Sequence, residues 1–234
     1  MKKTIVSLIL LVCIFSVAGC GEKDTKNNLE GDIKDNTKVS NIAESHSKYI
    51  DLKSTAYDKL SDKLIENESP LSFSFLGFVS ADLIIAPISI CGLGENEASF
   101  SYKLFNITDY VSEKDKCNIT FKSDGQTSKF ETLYDAKTDS IKSTMYEGND
   151  IKVIYEYIKL NEGYATIQYY YDDENITSYR SIFNETYISI GFFEDVQETP
   201  VSIYKGSTNI DKSWTKGGIY WVEYENGKYD AIIN

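Results

Sequence analysis

Ile151-Lys-Val-Ile-Tyr-Glu-Tyr-Ile-Lys-Leu160, then Asn161-Glu162-Gly163, then Tyr164-Ala-Thr-Ile-Gln-Tyr-Tyr-Tyr171: two runs rich in β-branched and aromatic residues, parted by three turn formers, read as adjacent antiparallel strands. The pattern repeats on both sides. Runs at 128–134, 140–146, 176–183 and 186–193 are separated by Asp135 to Asp139, Gly148-Asn149-Asp150, Asp172 to Asn175 and Asn184-Glu185. Connections that short leave no room for a parallel crossover. Upstream, Ala98 to Leu104 and Cys117 to Phe121 alternate apolar with polar residues, as half-buried strands do. Downstream, Asn226-Gly227 stands between 219–225 and 228–233, the strongest two-residue hairpin signal. That turn pairs Glu225 with Lys228, Tyr224 with Tyr229, Val222 with Ala231 and Trp221 with Ile232.

Ahead of the strands, Tyr49, Leu52, Ala56, Leu60 and Leu64 recur at helical spacing. Asn41 and Glu44 form a candidate capping box, and Pro70 closes the helix after about Asn67. Leu71 to Leu93 is the most apolar segment beyond the first twenty residues. Asp82 and Pro87 argue against a membrane span there and for a buried core segment, whose period does not separate helix from strand. The fold class expected is therefore α+β, mainly β: an antiparallel up-and-down meander, as an open or half-barrel sheet, packed on one long N-terminal helix and an apolar core segment.

Lys2 and Lys3 precede an apolar run from Ile5 to Val17, and Val17-Ala18-Gly19 leads into Cys20. A charged start, a short apolar stretch and small residues make a secretory signal. With cysteine next, it resembles the lipobox signal of bacterial lipoproteins. The resemblance implies export, cleavage before Cys20 and acylation there (diacylglycerol, palmitate). The expected organisation is 1–19 signal peptide, 20–41 lipidated Cys20 and polar tether, and 42–234 a single extracytoplasmic domain held at the cell membrane. The meander is also similar in outline to the half-barrel lipid carriers of bacterial envelopes, over about residues 40 to 234, with no motif residues to carry over.

Cleavage would remove Lys2 and Lys3 and no acid, so 24 basic side chains become 22 against 36 acidic ones, a net charge of −14. A balance this acidic repels phosphate backbones and argues against a nucleic-acid partner. Beyond Cys20, Cys91 and Cys117 remain to be bridged or buried as free thiols. Closing their loop would be worth about 3 kcal/mol in the chain-entropy model.

Catalytic signals are sparse. His46 is the only histidine and reads as a helix-end residue, and no P-loop, GxSxG or zinc spacing occurs. No metal, cofactor or catalytic residue is expected, and Asp172-Asp173-Glu174 reads as a solvated turn. Tyrosine is the unusual component, 18 in the chain. Alternation from Ala165 and Ile167 predicts Tyr169 and Tyr171 inward and Tyr170 outward. Tyr170, Tyr157 and Tyr179 are the candidate binding surface.

Three functions of different classes follow. A non-catalytic binding module for a small apolar or amphipathic ligand, or an envelope protein, predicts a cavity lined by Phe73, Phe75 and Phe78. A structural or adhesion-like protein predicts a filled core and an exposed tyrosine face. A carboxylate-based hydrolase predicts two converging acids.

Overall fold

The computed structural model describes residues 42–93, 101–123, 125–172, 175–194, 196 and 201–233. The expected signal peptide, Cys20, the expected tether and the candidate Asn41 cap lie outside them, as do Asp173 and Glu174.

Helix α1 spans Ile42–Glu66 and buries Ile42, Ser45, His46, Tyr49, Lys53, Ala56, Tyr57, Leu60 and Leu64. That spacing of three and four residues is one helical face. The helix ends in a Schellman closure. Glu68 takes the left-handed conformation at φ 47°, its N–H donates to Ile65, and Ser69 N–H donates to Leu64 at 2.9 Å, satisfying carbonyls the helix would otherwise orphan. After Pro70, helix α2 spans Leu71–Ile84. It buries Leu71, Phe75, Phe78 and Ala81, while Leu76 and Ile84 on its other side stay exposed. Pro87 opens a 3-10 turn over Ala86–Ile90, because it cannot continue the α-helical hydrogen bonding.

Ten strands follow: β1 Ile107–Ser112, β2 Lys116–Ser123, β3 Gln126–Asp135, β4 Ser140–Glu147, β5 Asp150–Lys159, β6 Tyr164–Asp172, β7 Asn175–Phe183, β8 Tyr187–Phe193, β9 Tyr220–Glu225 and β10 Lys228–Ile233. Each pairs antiparallel with its sequence neighbours, in the order β1 to β10. The β9–β10 register is Glu225 with Lys228 through Trp221 with Ile232, as its turn chemistry predicts. Strand β1 is absent from the sequence expectation, since a register irregularity between Ile107 and Asp109 breaks its alternation. The strand expected to reach Leu104 is corrected. Residues 101–104 form a helical turn, closed by Phe105 N–H on the Ser101 carbonyl.

One face of the sheet meets the helices. Its core joins Tyr49, Leu60, Phe75 and Phe78 to Ile119, Phe130, Tyr155, Tyr157, Phe183 and Ile190. The opposite face of β5 to β8 is covered as well. There Ile158, Ala165, Ile167, Tyr169 and Ile182 pack with Ile203, Ile210 and Trp214, from the long β8–β9 connection. Gly191 permits that approach: a Cβ on it would lie 1.8 Å from the Thr215 carbonyl oxygen.

This two-sided burial reverses the expected facing of β6. Thr166 Oγ1 hydrogen-bonds Tyr49 at 3.0 Å, Gln168 Nε2 donates to Asp82 at 2.7 Å and Tyr170 OH donates to the Ala81 carbonyl at 3.1 Å. The helices therefore lie over Thr166, Gln168 and Tyr170, while Tyr169 and Tyr171 lie under the crossover. With apolar cover on both faces, alternation alone could not tell which face met the helices.

Candidate functional site

The helix side of the sheet is filled where a cavity was expected. The Phe75 and Phe78 rings pack on Tyr57 at 5.6 and 5.4 Å, and Phe78 meets Tyr179 at 5.0 Å. The side chain of Phe73 lies outside the described residues. Lys53 is buried among the Tyr49, Tyr57 and Phe78 rings and donates to Asp82 at 2.7 Å. Burial pushes its pKa down, but the Asp82 carboxylate more than offsets this and holds it above the ordinary lysine value. Gln168 shares Asp82, so one carboxylate joins α1, α2 and β6.

The tyrosine surface is also corrected. Tyr157 is wholly buried, its ring stacked on Tyr49 at 4.2 Å. Tyr170 and Tyr179 are half-buried and belong to a row on the helix side. Tyr170 meets Tyr179 at 6.0 Å, Tyr179 meets Phe192 at 4.8 Å, and Phe192 meets Tyr220 at 5.0 Å. Cross-strand register between Tyr179, Phe192 and Tyr220 makes this one aromatic ridge over β6 to β9.

An open groove of about 460 Å³ lies elsewhere, between the end of α2 and β2 to β4. Its walls are Leu83, Ile84 and Pro87 on one side, Leu104 and Phe105 from the helical turn on another, and Phe121 and Met145 from the sheet. Several links fix these walls. Cys91, just after the 3-10 turn, is joined to Cys117 of β2 by a disulfide with the Cα atoms 5.6 Å apart. Tyr110 OH donates to the Ile90 carbonyl at 2.8 Å, and Lys122 N–H donates to Asn106 at 3.1 Å. Glu147, at the end of β4, brings the groove its carboxylate.

The groove escapes a sequence reading because its parts are scattered from Leu83 to Glu147. The one advance signal is that α2 carries large apolar residues, Leu76 and Ile84, beyond the face it buries, which a helix buried on a single side has no need of.

The helix-end reading of His46 is corrected too. It is 6% exposed, lies beside the stacked Tyr49 and Tyr157 rings at 5.9 and 6.1 Å, and its Nδ1 has no hydrogen-bond partner among the described residues. Burial, helped by nearby Lys53, lowers its pKa to about 4. Two acids, half-buried Asp139 and buried Glu156, act as structural acceptors. Asp139 accepts from Ser45 at 2.6 Å and Tyr134 at 3.1 Å. Glu156, on the outer face, accepts from Ser202 Oγ and from the backbone N–H groups of Ile203 and Tyr204. Among the described residues no three potential ligands cluster as a metal site.

Compared with known proteins, the chain matches no family model, no curated protein and no solved structure.

Proposed function

We propose that this protein is a lipid-anchored extracytoplasmic binding module, without catalysis, that takes a small amphipathic molecule in the groove beside α2. In this reading the meander is an open half-barrel whose interior is occupied by α1 and α2, so the ligand binds at its rim. The supporting observation is the groove itself. It has walls of mixed apolar and polar residues, a volume within the range of small-molecule sites, and a frame of sheet and disulfide that needs little ordering on binding.

Ile84 is 42% exposed and lines the groove, so Ile84→Trp should fill it at a stability cost within about 0.5 kcal/mol. Calorimetric titration with octanol should show at least about tenfold weaker binding to this variant, the loss of about 1.4 kcal/mol. Equal affinities would overturn the reading.

A second reading has its own observation, the half-buried ridge of Tyr170, Tyr179, Phe192 and Tyr220. Aromatic ridges suit protein or glycan partners. A structural protein using that ridge would keep its envelope partner when Ile84→Trp closes the groove.

A further inference from the structure

The geometry points to a cationic amphiphile as the ligand of the groove, an alkylammonium head on an apolar tail; this rests on the binding reading above. The charge that the groove walls direct inward is negative. Glu147 pairs in register with Ser128 on one side and with Asp150 across the Gly148-Asn149 turn on the other. Residues directly opposite in an antiparallel pair share a face, so Glu147 lies on the same face as Ser128 and Phe121, which is the helix side. Asp150 adds a second carboxylate next to it.

Neither acid has a cationic partner among the described residues. Lys122 also lines the groove, but it alternates with Phe121 along β2 and its exposed side chain lies on the other face. Its backbone N–H donates to the Asn106 carbonyl at 3.1 Å.

An apolar trough ending in an uncompensated carboxylate offers a tail its burial and a cation its counter-charge. A carboxylate or phosphate head would instead meet like charge. The acidity of the whole chain acts in the same direction, by raising the local concentration of cations.

The test is calorimetric titration of the processed chain from residue 20 onward, carrying Cys20→Ala, with octyltrimethylammonium, octanol and octanoate. The three share a tail and differ in head charge. The cation should bind best and the anion worst, with about three- to tenfold between cation and octanol, the range of a partly solvated ion pair. Raising the salt should narrow that gap. Glu147→Gln should bring the cation close to octanol and leave octanol unchanged. Octanoate binding as well as the cation, or cation affinity unmoved by Glu147→Gln, would overturn the charge assignment and leave the groove standing as an amphiphile site. Absence of binding by all three would overturn both.

Discussion

His46 stands in a place where a proton is costly. Its ring is buried beside the stacked Tyr49 and Tyr157 rings, with the Lys53 ammonium raising the cost of a second charge, and its pKa is lowered to about 4. The unfolded chain protonates at about 6.5. Between those values the unfolded state binds more protons, so the stabilisation is complete above about pH 6.5 and is lost as pH falls toward 4. From about pH 7 to about pH 5 that loss amounts to about 2 kcal/mol. The aromatic variant His46→Phe cannot take up the proton. Urea unfolding at both pH values should give it a shallower pH dependence than the wild type by about that amount, and equal slopes would remove His46 as the cause. Lys53, one helical turn beyond Tyr49, shows the opposite solution: its charge stays because Asp82 and three aromatic rings receive it.

Beside its apolar packing, the long connection between β8 and β9 is anchored to the sheet by a buried carboxylate. Glu156 is 1% exposed. It accepts from Ser202, Ile203 and Tyr204 and pairs with Lys142 at 2.9 Å. Glu156→Gln keeps the shape and removes the charge, which weakens charge-assisted bonds to about half their strength. A destabilisation of about 2 kcal/mol is expected, of the order of one or two such bonds. Hydrogen exchange should show it as faster exchange at residues 201–206, with α1 unaffected; uniform acceleration would mean that Glu156 supports the whole fold. The sequence hides this element because it contains no regular period, and Glu156 looks like any outward polar residue on a strand. Features encoded locally are legible: the Asn226-Gly227 hairpin with its register, the α1 stripe and the meander order. What needs a distant partner is not. Tyr170 was expected outward because β6 is covered on both faces, and Tyr157 appeared available until Tyr49 was seen stacked on it. The groove is assembled from segments that only the folded sheet and α2 bring together.

At the scale of the molecule, the helix side of the sheet and the outer face of β5 to β8 are committed to packing, and no helix among the described residues is long and apolar enough to cross a membrane. The processed chain would carry a net charge of −14, which anionic headgroups repel. On the lipoprotein reading, membrane residence therefore depends on the acyl chains at Cys20. One acyl chain binds only marginally, at about 10⁴ M⁻¹, and two give stable anchoring at about 0.8 kcal/mol per buried CH₂. Cys20→Ala removes the acceptor thiol and precedes α1 in the sequence, outside the described residues. Detergent phase partitioning should move the protein from the detergent phase to the aqueous phase, or show it retained unprocessed. A released variant should melt at the wild-type temperature, because the substitution leaves the sequence of residues 42–234 unchanged. Wild-type partitioning by Cys20→Ala would show that something other than a thiol-linked lipid holds the protein, and the exposed apolar side of α2, at Leu76 and Ile84, would then be the place to look.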